Sequence, residues 1–441
     1  MTAHSNRWLA GLAAALLLGL AQPAAAAFVG HGGPVKGIAI TADGERMVSV
    51  SFDYSVIVWR LADGAALDVL YGHDAAVNDV VVLPGKRGFA TAGDDGAVLL
   101  WGFGDTAPEA ELLGHTGRVV DLDVTADGRH LASASWDRTV RIWDLANGAA
   151  FLQLDGHGGP VDAVAFTPDG ELLVTAGAEG ALRLWRVADG VQLAEWGGGP
   201  QAIHALVVDQ AGETVYAAGS EGEVRRYGLG DGSALPGFRA GLPTPLFDLV
   251  LSPDGERLAA TGMDGTISIW DTATGELDEI LGGERNPLWS LAIDPAGRTI
   301  FAGGNDRTIR QWDLSSGLEI DEPAPLPDPE TVAAATDEDV GAVVWRRCVA
   351  CHTLDPDSAN RAGPTLHGIF GRPIGAVEGY PYSDALADGD IVWTEKTVAE
   401  LFRKGPDVVT PGTKMPIQRI TDEAELEALI DFLEREAMPG E

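Results

Sequence analysis

Seven aromatic residues, spaced by 42 or 43 positions, constrain this chain more than any other feature. They are Trp59, Trp101, Trp143, Trp185, Tyr227, Trp270 and Trp312, with separations of 42, 42, 42, 42, 43 and 42. An acidic residue stands six positions before each: Asp53, Asp95, Asp137, Glu179, Glu221, Asp264 and Asp306. A glycine stands fifteen before six of them, as Gly44, Gly128, Gly170, Gly212, Gly255 and Gly297. Short apolar runs such as Val56-Ile57-Val58-Trp59 lie between these marks, separated by turn sequences such as Pro168-Asp169-Gly170. Four short strands in a unit of this length cannot bury both their faces alone. Stacked neighbours must do it, which predicts a seven-bladed propeller over residues 28–320.

Gly30-His31, Gly72-His73, Gly114-His115 and Gly156-His157 precede the first four anchors, and Trp143-Asp144, Trp270-Asp271 and Trp312-Asp313 close three repeats. These dipeptides resemble the signatures of the WD-repeat family. The resemblance implies that each histidine bonds a turn acid, a strand hydroxyl and the indole of its own blade. The groups are His31, Ser49, Asp53, Trp59; His73, Thr91, Asp95, Trp101; and His115, Ser133, Asp137, Trp143. Blade four has Glu179 beside His157 and Thr175. One histidine per blade, held within that blade, cannot converge on a metal ion. Blades five to seven lack it and are expected to rest more on packing. The ring is expected to close either through Phe28-Val29 or, in larger part, through Leu318-Glu319-Ile320.

The first 26 residues read as an export signal. Arg7 supplies the charge, Leu9 to Leu20 an apolar stretch shorter than the ~20 residues that span a bilayer, and Ala24-Ala25-Ala26 a small-residue cleavage site. The expected location is a periplasm, without membrane insertion after signal removal. A formal charge of −36 argues against nucleic acid and anionic membranes as partners and leaves steering of a basic protein open.

Residues 321–337 read as a linker. Within them Asp321-Glu322-Pro323-Ala324-Pro325-Leu326-Pro327-Asp328-Pro329-Glu330 favours extended polyproline geometry and forbids helix. Beyond it comes a second domain, 338–441, whose stretch Asp337 to Arg347 has helical character and runs into Cys348-Val349-Ala350-Cys351-His352. The chain has only two cysteines, so they form one site and no disulfide framework. Two thiols at this spacing can each add to a vinyl group of haem, and the adjacent His352 can reach the iron. The pattern is a haem-attachment signature; a redox dithiol would need a βαβ setting that the flanking sequence lacks.

Downstream stand Gly363-Pro364-Thr365-Leu366-His367-Gly368, then Arg372, Tyr380-Pro381-Tyr382, Trp393 and Pro411-Gly412-Thr413-Lys414-Met415. With the attachment motif, these resemble mitochondrial-type class I cytochrome c, a small all-α fold. The resemblance implies one covalent haem c on Cys348 and Cys351, with His352 and Met415 as iron ligands. It also implies that the Pro364 carbonyl orients the His352 ring, and that Arg372, Tyr382 and Trp393 hold a haem propionate. His367 matches a structural hydrogen-bonding position. The last helix, within Asp422 to Met438, should cross the first with Leu429 and Phe432 facing Gly341 and Trp345.

Two departures stand out. Leu401-Phe402 lacks the tyrosine the family often places near the methionine sulfur, and residues 331–441 hold 20 acids against 10 Lys and Arg. The lysine ring with which mitochondrial carriers dock is therefore absent. The function expected is outer-sphere transfer of single electrons, not catalysis, with no small-molecule substrate at the haem. The propeller would dock redox partner proteins. Two other readings stay open: a reductase-type reaction in the propeller fed by the haem, and a redox-sensing scaffold.

Overall fold

The computed structural model describes residues 28–240, 244–283, 286–320, 340–345, 348, 352–354, 364–377, 380, 382, 384–387, 389–410, 420 and 423–437. The export signal, the 321–337 linker, Cys351 and Met415 lie outside the described residues.

The 42-residue period becomes seven four-stranded antiparallel sheets. Blade one, for example, runs Val35–Ile40, Arg46–Ser51, Ser55–Arg60 and Ala66–Tyr71 in consecutive pairing. The first strand of each blade touches the first strands of both neighbouring blades, and blade seven's touches blade one's, so the inner ring is closed. The aromatic anchors all fall on third strands. There they are buried, from Trp101 and Trp270 at 0% exposure to Tyr227 at 8%. Gly30 shows why a glycine leads the Gly-His pair: a Cβ there would lie 2.8 Å from the tip of the Trp59 ring.

The six glycines fifteen residues before the anchors all adopt φ between 67° and 74°. They occupy the left-handed corner of the turn between first and second strands, where a side chain costs energy. Blade two breaks the pattern because its first strand, Val77–Leu83, is one residue longer than the others. The turn becomes a short 3₁₀ segment, Pro84–Lys86, and Gly85 takes the left-handed position at φ 78°.

Both expected closing segments are used. Phe28–Val29 pairs antiparallel with Ile309 and Thr308 of blade seven. Farther along the same strand, Ile320 donates its N–H to Gln311 O at 2.8 Å, and Asp313 donates to Leu318 O at 2.9 Å. The outer edge of blade seven is thus covered from both ends of the propeller. Phe28, 1% exposed, fixes the join by meeting Trp59 and Phe301 edge-on at 5.6 and 5.9 Å.

Five helices are described in the second domain: α1 Val340–Trp345, α2 Asp384–Ala387, α3 Glu395–Lys404, α4 Pro406–Val409 and α5 Glu423–Glu436. Thr394 caps α3 reciprocally with Thr397, satisfying N–H groups the helix itself leaves unpaired. Leu426, Leu429, Phe432 and Leu433 form the buried stripe of α5. They share a core with Val344 and Trp345 of α1 and with Val398 and Phe402 of α3. The α1–α5 crossing is close at Gly341, where a Cβ would lie 2.1 Å from Ala428 O and 2.7 Å from the Phe432 Cβ. Trp345 packs on Phe432 with ring centroids 6.1 Å apart.

Candidate functional site

Cys348 follows α1 by a turn, with its N–H donated to Trp345 O at 2.8 Å, and its thiol is buried in the helical core. His352 donates its own N–H to Cys348 O at 2.9 Å. The imidazole Nδ1 lies 2.8 Å from Pro364 O. As donor to that carbonyl, Nδ1 carries the proton, and Nε2 is the nitrogen left with a lone pair for a metal. The donor set is thus a buried thiol and a carbonyl-oriented imidazole beside an apolar core, which fits a haem held by thioether bonds and an axial histidine.

The Pro364 loop is itself held. Leu366 donates its N–H to Thr353 O at 2.8 Å, and His367 Nδ1 lies 3.2 Å from Leu354 O. Arg372 spans the other side, donating to His367 O at 2.8 Å and Thr365 O at 2.6 Å. Trp393 is fixed beside Arg372 by backbone pairing: Trp393 N–H to Arg372 O at 3.0 Å, and Gly371 N–H to Trp393 O at 2.7 Å. Tyr382 is half-buried, and burial raises its phenol pKa while the neighbouring Arg372 charge pulls it down. Arg372, Tyr382 and Trp393 are therefore brought together. The guanidinium's bonds to the loop carbonyls were not read from the sequence; nothing in residue spacing marks a carbonyl as an acceptor.

In the propeller each histidine is used within its blade. His115 Nδ1 meets Asp137 at 2.8 Å, its Nε2 meets Ser133 Oγ at 2.8 Å, and Trp143 Nε1 donates to that hydroxyl at 2.9 Å. His73 with Thr91 and Asp95, and His157 with Thr175 and Glu179, repeat the pattern. Blade one differs. Ser55 enters the chain, 2.8 Å from His31 Nδ1, and donates to Asp53 at 2.5 Å, leaving His31 3.6 Å from the carboxylate. In blades five and seven an arginine four residues after the turn acid substitutes for the histidine: Arg225 lies 3.5 Å from Glu221, and Arg310 3.2 Å from Asp306. That i+4 arginine was legible in the sequence and missed.

A second feature missed is a set of aspartates on the first strands. Asp79, Asp121, Asp123 and Asp248 each accept a backbone N–H from the next blade, those of Leu122, Val164, Phe166 and Leu291, at 2.6–2.8 Å. Burial raises their pKa values, to about 7 for Asp79 and Asp248 and about 6 for Asp123, and well above the usual carboxylate range for Asp121. Lys36 sits near them, 4.0 Å over the Trp289 ring, with its pKa lowered by burial to about 8. Perturbed groups at a central channel can mark catalysis. Here each of the four carboxylates already caps an edge strand, a structural task. Among the described residues no group of three or more His, Cys, Asp or Glu could hold a metal ion, and no helix is long and apolar enough to cross a membrane.

Comparison with known proteins supports both halves. The profile of the WD domain, G-beta repeat, matches residues 24–60, 64–102, 107–144, 150–186, 242–271 and 275–313. The unmatched blade is the fifth, which has Tyr227 for tryptophan and Gly199 where the Gly-His pair of blades one to four places its histidine. The Cytochrome c profile matches residues 338–435. Cytochrome c2 of Blastochloris viridis is 40% identical over 103 residues, 23% of this chain and 80% of that protein. Cytochrome c-550 of Nitrobacter winogradskyi is 41% identical over 93 residues, 21% and 84% of the two chains. Cytochrome c of Arabidopsis thaliana is 42% identical over 90 residues, 20% and 80%.

Proposed function

Since the chain belongs to the cytochrome c family through residues 338–435, and carries haem c for electron transfer, we propose that it is a periplasmic single-electron carrier whose propeller docks its redox partners. One haem would be bound through Cys348 and Cys351, with His352 and Met415 as the axial pair. The observation that carries this is the 2.8 Å contact between His352 Nδ1 and Pro364 O, which fixes the tautomer and aims the other ring nitrogen. When bound, the haem supplies a one-electron couple, and a histidine–methionine pair sets it higher than two imidazoles would. The chain's own residues orient and bury. His352 is held by Pro364, Pro364 by the Arg372-braced loop, and the α1–α5 core excludes water behind Cys348.

The propeller favours docking over a reductase reaction because its buried histidines and aspartates are each committed to blade structure. The mature protein should hold one haem that acid–acetone does not extract, with the matching mass increment. Met415→Ala should abolish the methionine–iron charge-transfer band of the oxidised protein and lower its potential. Extractable haem would overturn the covalent assignment, and an unchanged band would overturn that of Met415.

A further inference from the structure

The turns between second and third strands emerge on one face of the propeller, and what they carry is uneven. Immediately after the second strand, blade one places Phe52 and blade three Trp136, 44% and 47% exposed; Tyr54 is 41% exposed. Trp136 is fixed in place by its indole N–H, which donates to Asp162 of blade four at 2.9 Å. Asp53, between Phe52 and Tyr54, accepts the N–H groups of Gly32 and Ser55. Asp137, beside Trp136, is bound by His115 at 2.8 Å and by the Thr116 N–H at 3.0 Å. Tyr54 and Arg138 moreover occupy left-handed backbone at φ 71° and 73°, as Arg307 of blade seven does at 69°, where blades two, four, five and six use Gly96, Gly180, Gly222 and Gly265. Glycine would serve the turn at less cost, on the order of 1 kcal/mol.

Blade two lies between the two aromatic posts and is acidic. Asp74 is exposed, and Asp94 is partly exposed beside Asn78, whose Nδ2 donates to it at 2.8 Å. The nearby cations are largely committed. Arg118 lies 3.5 Å from Asp94 and 4.3 Å over the Trp136 ring, and Lys36 lies over Trp289 at 4.0 Å. Arg138 is exposed at the far margin. On a chain of net charge −36, preformed aromatic anchors around an acidic centre complement a basic, partly apolar surface.

We infer that the face from blade one to blade three docks a basic protein. That partner presents a Lys or Arg to Asp74 and Asp94, with apolar side chains on either side covering Phe52, Tyr54 and Trp136. The inference rests on the docking role proposed for the propeller and names its face and its partner's chemistry.

The test uses the full-length holoprotein in the cells that make it, with a photoreactive benzoylphenylalanine at position 54 or 136. Controls carry it at Leu193 and Ile280, which are exposed on the outer strands of blades four and six. The expected result is one shared cross-linked protein from 54 and 136, absent from both controls and basic at the linked site. Against that purified protein, Trp136→Ala and Asp74→Lys should each weaken binding at least tenfold, the second effect shrinking as salt rises. Asp74 is exposed, so its variant stays informative even if Trp136→Ala unfolds the blade. No capture at 54 and 136, equal capture from the rim, an acidic partner, or unchanged affinity in Asp74→Lys would each overturn the inference. Reduction of the haem by ascorbate is the separate arm. It should be equal in parent and variants, and its failure in the parent would count against the electron-carrier reading and not against the face.

Discussion

Asp79 of blade two accepts the backbone N–H of Leu122, in blade three, at 2.8 Å. The acceptor belongs to one blade and the donor to the next, so the bond joins units that share no strand pairing. Asp121, Asp123 and Asp248 do the same at other blade boundaries. Each sits on the innermost strand, whose channel-facing edge would otherwise leave amides without partners.

These carboxyls make the propeller's stability depend on pH in an unusual direction. Burial raises Asp79 and Asp248 to about 7 and Asp123 to about 6, and it raises Asp162, which accepts the Trp136 indole N–H at 2.9 Å, to about 6, against an ordinary value of 3.8. Between 3.8 and those values the folded protein holds protons that the unfolded chain releases, so stability falls as pH rises through that window. Asp53 and Asp137 act oppositely. Burial works against their charge, but the proximity of His31 and the bonds from Ser55 for Asp53, and the bonds from Thr139, Thr116 and His115 for Asp137, hold both at about 2. Their contribution is lost as pH drops below 3.8. Burial lowers the pKa values of His115, His157 and His204, which favours the fold as pH rises. The raised carboxyls are more numerous and more strongly shifted, so the propeller should melt at a higher temperature at pH 5.5 than at pH 8, and Asp123→Asn should flatten the slope. Thermal scans of the strand signal across pH test this; a profile that rises from pH 5.5 to 8 refutes it.

Arg310→Met should leave blade seven as stable as before or up to about 2 kcal/mol more stable. Arg310 is 2% exposed, its guanidinium nitrogens have no hydrogen-bond partner among the described residues, and Asp306, 3.2 Å away and 23% exposed, stays hydrated once the cation is gone. The similar change at Arg60, paired with Asp63 at 2.7 Å but about half exposed, should cost less than about 0.5 kcal/mol. Urea unfolding of the two variants under one buffer gives the comparison, and a loss at Arg310 larger than at Arg60 would show that its pairing with Asp306 holds the blade.

Closure predicts another contrast. Phe28→Ala should cost about 3–5 kcal/mol, because it empties a site packed between Trp59 and Phe301. Leu318 covers the same strand but is 68% exposed, and Leu318→Ala should be nearly neutral. If urea midpoints fall equally, the two-residue strand is not what seals the ring.

The propeller was legible because its strongest bonds act at fixed separations inside one repeat. His115 finds Ser133 18 residues on and Asp137 22 residues on, and the same offsets recur in blades two and four. What connects blades was hidden. Asp79 and Leu122 are 43 residues apart, and a repeating sequence does not say which members of adjacent repeats meet. Ser55 was likewise invisible as a link between His31 and Asp53, since Thr139 at the corresponding place stays 3.4 Å from His115 while the carboxylate binds directly. In the second domain, family likeness marked His352 and Pro364, whereas the bracing by Arg372 depends on backbone oxygens that no side-chain pattern reveals.

That bracing yields the last prediction. Arg372 donates to Thr365 O at 2.6 Å and His367 O at 2.8 Å, the first and third residues after Pro364, whose carbonyl takes the His352 Nδ1–H. A bond from a charged donor contributes about 1.5–3 kcal/mol, so Arg372→Met, which removes both, should lower the domain's stability by about 2–4 kcal/mol. Lysine keeps the charge but has no planar fork, and Arg372→Lys should recover less than half of that loss. A purely structural brace would stop there. If Arg372 also steadies the Pro364 carbonyl against His352, the loosened carbonyl leaves the imidazole a weaker donor to ferric iron, and the reduction potential of Arg372→Met should rise. Guanidinium unfolding followed at the haem absorbance gives the first quantity, and a redox titration of the same sample gives the second. A large stability loss with an unmoved potential would separate the loop's packing from the orientation of His352, and would leave Arg372 with the first role alone.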